Sequence, residues 1–180
     1  MKKILSLLLV FILMLSFSAC TPAKREATEA DANEFLVHFF SSYNEMNEYL
    51  KNSEIAISAF ALDGEGLSGI LRAVYQAQGI TFTFPQPKKV SENIFTATVE
   101  VTAPNIQPLY EMYAIDRELL GGDIPEDFVA QSFYDNIRAG TTKSLTNTVT
   151  ITVSYPDGKW KVTPSNDLAF AMFPNIDKAN

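Results

Sequence analysis

The chain has 180 residues, with 21 acidic and 14 basic side chains, one histidine, one cysteine and a formal net charge of −7 at neutral pH. A single cysteine excludes an internal disulfide and a cysteine-based metal site. The excess of acid argues against a nucleic-acid-binding protein, because basic patches supply most of the affinity for phosphate backbones. The length suits one domain, which can bury a sizeable core without disulfides.

The first 19 residues have the layout of an export signal. Lys2 and Lys3 form a basic start, residues 4–17 are almost entirely apolar, and Ala19 precedes the sole cysteine, Cys20. The apolar run is shorter than the roughly 20 residues that a membrane-spanning helix needs, but it has the size of a secretory signal core. Without this segment, 161 residues remain with 12 basic against 21 acidic side chains, a net charge near −9.

With these features the N-terminus resembles that of a bacterial lipoprotein precursor. The resemblance implies cleavage before Cys20, a diacylglycerol on its thiol, and an extracytoplasmic protein that touches the cell membrane through the lipid anchor only. Phe17 stands where such precursors more often have leucine. The alternatives are an ordinary secretory signal that leaves a free cysteine, and an uncleaved anchor. Residues 20–31 are interpreted as the lipidated cysteine and a polar tether, and residues 32–180 as a single domain.

Several stretches of this domain have the three- and four-residue spacing of apolar side chains that is typical of amphipathic helices. The predicted helices are residues 32–51, 67–78, 106–120, 125–139 and 165–173. Glycine follows the second, third and fourth of these helices, and the fourth also begins with a proline. Residues 54–62 suit either a short strand or a buried helical turn, and periodicity does not decide between the two.

Strict alternation of apolar and polar residues predicts two hairpins. The first joins strands at residues 80–84 and 95–101 across the polar loop 86–93. The second has the inward side chains Leu145, Val149, Ile151, Val153 and Tyr155, turns at residues 156–159, and returns through Trp160 and Val162 on the buried face.

One residue, Asn147, interrupts the inward alternation of the second hairpin, which places it beyond the core or at a bulge. The threonines and serine at even positions 146–154 face outward, as in a sheet with one solvated face. The chain is therefore predicted to be an α+β domain, with an antiparallel sheet of about four strands in two hairpins and amphipathic helices packed on one face.

The strand pair ITFTF and FTATVEV, the hairpin TVTITVSYPDGKWKV and the segment DLAFAMFPN resemble those of small lipoproteins from Gram-positive bacteria. The domains of that group are described as nuclear-transport-factor-2-like or cystatin-like. The resemblance covers about residues 80–175 together with the signal segment. It implies a curved sheet wrapped around helices, and it carries over no functional residue, because most members of the group have no assigned activity.

Residues 64–69 (GEGLSG) match the G-x-G-x-x-G pattern of a dinucleotide-binding loop. Such glycines would let a pyrophosphate approach the N-terminus of the following helix. The sequence lacks the acidic residue after the next strand and the further strand–helix–strand units that this fold needs. A helix start loosened by glycine is the preferred interpretation, and no cofactor is predicted.

The sole histidine, His38, follows Glu34 by one helical turn, and Glu34 or Glu45 could orient it as a general base. One histidine and one carboxylate do not make a metal site, so no metal is predicted. His38 borders the apolar stripe of its helix, and a histidine at the edge of the core is the preferred interpretation. A small hydrolase or isomerase that uses His38 with a nearby carboxylate remains the alternative to a domain without catalytic residues.

The remaining polar groups have simpler structural explanations. The acids at Asp63 and Glu65 and in residues 123–127 lack the spacing of a calcium-binding loop and suit turns and helix starts. Tyr110, Tyr113 and Tyr134 could rim a pocket, although aromatic residues at helical spacing usually pack in cores. The threonines at 146–152 could form a docking face, although strand propensity explains them.

The predicted function is that of a lipid-anchored extracytoplasmic domain, modified at Cys20, that binds a protein or small molecule. A transporter's solute-binding subunit is disfavoured, because 161 residues leave little room for two lobes around a cleft.

Overall fold

The computed structural model describes residues 26–52, 64–120 and 126–175. The helices are α1 (Glu29–Ser41), α2 (Tyr43–Lys51), α3 (Gly64–Gln76), α4 (Gln107–Leu120), α5 (Glu126–Arg138) and α6 (Asn166–Met172). The strands are β1 (Thr81–Thr83), β2 (Lys88–Ser91), β3 (Ile94–Pro104), β4 (Ser144–Ser154) and β5 (Lys161–Val162). The predicted signal segment, Cys20, residues 54–62 and residues 121–125 lie outside the described residues.

The sheet is antiparallel throughout and is built on the long central pair of β3 and β4. These two strands pair over eleven positions without a register shift, from Ile94 opposite Ser154 to Pro104 opposite Ser144. β1 and β2 both pair with β3, and β5 pairs with the end of β4. The α+β class and the antiparallel sheet are as predicted.

One strand was not predicted. Residues 86–93 were expected to be a loop, but β2 lies within them and pairs with β3, with Lys88 opposite Thr96. All four residues of β2 are exposed, so no alternation marks the strand in the sequence. Its main chain finds hydrogen-bond partners along β3, and the described sheet therefore has five strands where about four were expected.

The prediction of one continuous helix at residues 32–51 was wrong in two respects, because the helix starts earlier and is interrupted. α1 begins at Glu29, where the Thr28 side chain accepts a bond from the Asp31 amide and the Asp31 carboxylate accepts one from the Thr28 amide. The chain then leaves helical geometry at Ser42 (φ −97°, ψ 112°), whose hydroxyl caps α2 by accepting from the amide of Glu45. Apolar spacing continues across the break, which hides it in the sequence.

The core lies between the inward face of the sheet and the helices. β3 and β4 contribute the fully buried side chains Phe95, Val99, Val101, Ile151 and Val153. α3 packs against α5, and α6 packs across β4 and β3. Phe40 of α1 stacks on Phe82 of β1 with a centroid distance of 4.3 Å, which fastens the first helix to the edge of the sheet.

The second hairpin turns as predicted. Asp157 (φ 53°, ψ 30°) and Gly158 (φ 80°) both have positive φ, and the amide of Lys159 donates to the carbonyl of Pro156 at 3.0 Å. This is the geometry of a type I′ turn, for which Asp-Gly is a favoured pair. Val162 returns into the core as predicted, whereas Trp160 is only half-buried and reaches the surface.

Candidate functional site

The predicted candidate His38 lies on the exposed side of α1. Its carbonyl accepts a bond from the Ser41 hydroxyl at 3.0 Å. In the described part of the chain no carboxylate lies within ion-pair distance of its imidazole, and Glu34 and Glu45 are themselves exposed. The described residues therefore do not bring a carboxylate to this histidine.

The G-x-G-x-x-G residues lie within α3, which starts at Gly64. The hydroxyl of Ser68 is nearly buried and donates to the side chain of Asn47 at 2.9 Å, while the carbonyl of Ser68 accepts from the Tyr43 hydroxyl at 3.4 Å. These bonds join α3 to α2. Ser68 therefore contributes to the packing of α3 on α2.

Of the predicted acidic groups, Asp63 and Asp123 lie outside the described residues. Asp127 at the start of α5 forms an ion pair with Arg72 of α3, with an N–O distance of 2.6 Å. Among the residues that the structure describes, no group of three or more His, Cys, Asp or Glu side chains could hold a metal ion. No helix within those residues has the length and apolar character needed to cross a bilayer.

The outer face of the sheet is lined with threonine. Paired threonines face each other across β3 and β4, and the hydroxyls of Thr102 and Thr146 lie 2.8 Å apart. The inward side of β4 opens at Asn147, which is exposed and unbulged, as one of the two predicted placements had it. A cavity of about 270 Å³ lies there, lined by Asn147, Thr148, Val149, Asp167, Phe170 and Ala171.

A second cavity combines aromatic and acidic side chains, and it is the candidate site. It has a volume of about 90 Å³ and is lined by Glu26, Ala27, Asp31, Tyr155 and Trp160; we call it the aromatic–acidic pocket. Tyr155 and Trp160 come from the two sides of the type I′ turn. Asp31 lies in the first turn of α1 and Glu26 lies just before it, so the pocket joins the start of the described chain to the second hairpin.

The capping of α1 positions the acidic wall. The Asp31 carboxylate is held through Oδ2, which accepts from the Thr28 amide at 3.0 Å and from the Thr28 hydroxyl at 2.7 Å. Ala27 is buried, so the chain before the helix is packed into the domain. These contacts give Asp31 a fixed position that an exposed carboxylate on a flexible tether would lack.

Contacts among aromatic rings position Tyr155 and Trp160, which form the aromatic wall of the pocket. Trp160 stacks on Phe35 of α1 (centroid distance 5.7 Å, interplanar angle 14°) and contacts Phe95 of β3 at 5.4 Å. Tyr155 contacts Trp160 at 4.7 Å with the two rings tilted by 42°. Both rings are half-buried, so part of each remains at the surface where the pocket opens.

Lys89 of β2 stabilises the negatively charged form of the Glu26 carboxyl group. The hydrogen bond and the ion pair with the Lys89 ammonium lower the pKa of the Glu26 carboxyl below its ordinary value. The amide of Lys89 also donates to the carboxylate of Glu29 at 2.9 Å. Glu26 therefore carries a full negative charge at the mouth of the pocket at neutral pH.

The sequence did not predict this site. Glu26 and Asp31 were assigned to the tether, and Trp160 to the core. The pattern Thr28-x-x-Asp31 is a capping-box signal that could have placed the helix start, and with it the two acids, inside the domain. A comparison of the chain with known protein families, with curated proteins and with solved structures found no significant match.

Proposed function

We propose that this protein is a lipid-anchored extracytoplasmic binding domain of the small Gram-positive lipoprotein type. The observation that supports the proposal is an export-signal pattern that ends at Cys20, directly before the domain, whose described part starts at Glu26. Only five residues separate the two, and a chain of that length reaches at most about 20 Å. The domain, with its aromatic–acidic pocket, would therefore work close to the membrane surface.

The lipid is the sole contact with the membrane in this proposal. Each buried methylene stabilises the attachment by about 0.8 kcal/mol, and two acyl chains hold a protein durably. The chain after the signal segment has a net charge near −9, which anionic lipid headgroups repel. The acidic charge also disfavours nucleic acid as a partner, and leaves a protein or a small molecule.

The binding role is supported by the pocket. It is a small concave site of about 90 Å³ that combines two aromatic side chains with two acids, one of which, Asp31, is fixed by the cap of α1. The alternative function, a small hydrolase or isomerase based on His38, has no comparable support in the described residues.

Mass spectrometry of the protein purified from membranes tests the proposal. We expect the N-terminal peptide to begin at Cys20 and to carry a diacylglycerol, and we expect an alkyne-tagged fatty acid fed to the cells to label the protein. Cys20→Ala removes the acceptor thiol and should abolish the label and leave the first 19 residues attached. Phe17→Leu is the matched control, which should be processed and labelled like the native chain.

The proposal fails if the native protein begins upstream of Cys20 or carries an unmodified thiol there. Equal labelling of the Cys20→Ala variant would contradict it as well, because the lipid would then be attached elsewhere.

A further inference from the structure

We propose that β4 pairs with β4 of a second copy of this chain, so that the two sheets join across a two-fold axis. The inference goes beyond the proposed function and does not depend on the aromatic–acidic pocket. Three observations support it: main-chain groups of β4 that no described strand binds, an uncharged edge sequence, and a cavity beside Asn147.

The main-chain groups in question lie in the first two thirds of β4. The amide of Thr163 donates to the carbonyl of Thr152 at 2.8 Å, on the side of β4 away from β3. Since main-chain groups alternate along a strand, the other even-numbered residues of β4 point the same way. β5 covers only the last two residues of the strand. Within the described ranges no strand binds the outward main-chain groups of Thr146, Thr148 and Thr150, which we call the free edge of β4.

The sequence of β4 suits pairing with itself. Residues 144–154 (SLTNTVTITVS) contain no charge, no proline and no glycine. Threonine, valine and isoleucine favour strands, and uncharged segments of this kind readily pair with copies of themselves. Edge strands that stay single usually carry a charge, a proline or a bulge, whereas β4 pairs with β3 without any register shift.

The acidic charge of the chain does not oppose contact at this edge. Glu100 of β3 lies directly opposite Thr148. With neighbouring strands about 4.8 Å apart, the Glu100 residues of two paired copies would be separated by on the order of 14 Å. That separation exceeds the screening length of about 10 Å in roughly 0.1 M salt, so their repulsion is weak.

The free groups fix the register of the pair. Antiparallel strands exchange two hydrogen bonds at every second residue pair. With Thr148 on the axis opposite its own copy, Thr146 of each copy lies opposite Thr150 of the other, and all of these residues have free main-chain groups. A shift in one direction would need the carbonyl of Thr152, which already accepts from β5. A shift in the other direction would pair Thr150 with a residue before the start of β4 at Ser144.

The cavity beside the edge gives room to the inward side chains of the added strand. It has a volume of about 270 Å³, and its lining includes residues 147–149 of β4 and Asp167 and Phe170 of α6. In this register Asn147 of one copy lies opposite Val149 of the other, on the face that the helices cover. The pairing brings the Asn147 amide, a hydrogen-bond donor, to a cavity that contains the Asp167 carboxylate. It also explains why a polar residue interrupts the apolar alternation at this position.

The pairing allows both lipid anchors to enter one membrane. The two-fold axis between antiparallel strands of one sheet is perpendicular to the sheet, so both copies keep their helices on the same side. α1 lies on that side, since Phe40 stacks on Phe82 of β1, and the chain that leads to Cys20 precedes α1. The contact is small beside a standard interface of about 1,600 Å², so we expect a dissociation constant on the order of 0.1 mM in solution. Anchoring in one membrane raises the local concentration and favours the pair there.

Disulfide cross-linking of the full chain in its native membrane tests the pairing. Thr148→Cys adds a thiol on the axis, and Cα atoms of a hydrogen-bonded antiparallel pair lie about 5.5 Å apart, which a disulfide can bridge. Thr98→Cys is the matched control, because Thr98 is an exposed threonine of the same face but lies on β3, one strand inside the edge. We expect copper phenanthroline to give about tenfold more reducible dimer from Thr148→Cys than from Thr98→Cys.

Two further thiol variants test the register. Thr146→Cys and Thr150→Cys should each give little dimer alone, because each lies about 13 Å along the strand from its own copy. Cells that make both variants should form the mixed disulfide. Thr148→Lys in both chains should lower its yield about fivefold, and Thr148→Lys in one chain with Thr148→Glu in the other should restore it, since the opposite charges would meet at the axis.

A benzophenone attached to the Thr148→Cys thiol identifies whatever covers the edge. A product of twice the chain's mass is expected. A product of another mass would assign the edge to a different protein, and a reaction confined to one chain would leave no place for a second copy, so either result overturns the inference. Equal dimer from Thr98→Cys overturns it as well, because sheet faces or random collisions would then explain the cross-link.

The native chain, without an added thiol, separates this inference from the proposed anchor. Acylated Cys20 has no free thiol, so the native chain should give no disulfide dimer. A dimer from the native chain would contradict the anchor alone, and the thiol variants are then compared in a Cys20→Ser background. An acylated protein whose Thr148→Cys variant stays monomeric contradicts the pairing alone.

Discussion

At the end of α3 a glutamine occupies a conformation that usually belongs to glycine. Gln78 has a φ of 53°, and the amide of the next residue, Gly79, donates back to the carbonyl of Val74 at 2.9 Å, which closes the helix. A side chain in this left-handed region costs about 1 kcal/mol relative to glycine. At Gly79 a Cβ would lie 3.0 Å from a methyl carbon of Ile137, so that side chain would have to shift to make room for it.

We expect Gln78→Gly to raise the free energy of unfolding by about 0.5 to 1 kcal/mol, because glycine adopts this conformation without strain and the side chain of Gln78 is exposed. Urea unfolding followed by circular dichroism measures the change. Gln78→Ala is the matched control, since it keeps a Cβ and should gain nothing.

The opposite substitution at the end of α5 checks the same physics. Gly140 has a φ of 69° and open space around its Cα. Gly140→Ala should therefore lower the unfolding free energy by about 1 kcal/mol through backbone strain alone. A neutral result at both positions would mean that neither helix end has the conformation described here.

At the scale of elements, two tyrosine hydroxyls join helices that are distant in the sequence. The hydroxyl of Tyr49 on α2 accepts from the amide of Ser165 at 2.7 Å and donates to the carbonyl of Ser165 at 3.2 Å, which fixes the start of α6. The hydroxyl of Tyr75 on α3 donates to the carbonyl of Phe40 on α1 at 3.0 Å. Burial raises the pKa of both phenols above 10.0, strongly so for Tyr75.

These raised pKa values predict a loss of stability in alkali. Above about pH 10 the unfolded chain releases the phenolic protons while the native state still holds them, so the free energy of unfolding falls as pH rises towards the native pKa values. We expect Tyr75→Phe and Tyr49→Phe each to cost about 1 kcal/mol at neutral pH. Each variant should also flatten the decline between pH 10 and 11, as measured by urea unfolding at several pH values.

Tyr134→Phe is the control, because Tyr134 is partly buried but its hydroxyl makes no hydrogen bond to a described residue. An identical alkaline decline in all three variants would assign the effect to other groups, such as lysines.

The helices and hairpins that could be predicted are those whose own side chains repeat with a period. α5, the Asp-Gly turn and α6 are of this kind, since apolar spacing and capping residues are local. β2 could not be predicted, because its four exposed residues form a strand only through pairing with β3. The break at Ser42 could not be predicted either, because the apolar spacing of α1 continues into α2 and suggests a single helix.

The pocket could not be predicted because it forms only in the tertiary structure. It brings Glu26 and Asp31 together with Tyr155 and Trp160, which lie more than 120 positions away in the sequence. No local pattern encodes such a distance, and Tyr155 and Trp160, which flank β4 and β5, continue the alternation of the core residues in those strands.

At the scale of the whole molecule, the sheet leaves one long edge uncovered within the described residues. β5 pairs only with Val153 and Ser154, and the amide of Thr163 donates to the carbonyl of Thr152. That bond shows that even-numbered residues of β4 point their main-chain groups away from β3. Residues 144–154 carry no charge, although charged side chains commonly protect such edges.

We expect amide hydrogen exchange to alternate along β4. The amides of Asn147, Val149 and Ile151 point towards β3 and should be protected, since β4 pairs with β3 without a register shift. The amides of Thr146, Thr148 and Thr150 point to the open edge and should exchange faster by orders of magnitude. The cavity beside Thr148 gives water access to this edge. Exchange measured residue by residue at low protein concentration tests this pattern, with the amides of β3 that bond to β4 as an internal reference for full protection. Uniform protection of all six β4 amides would contradict it, because a further strand from the same chain or from a second copy would then cover the edge.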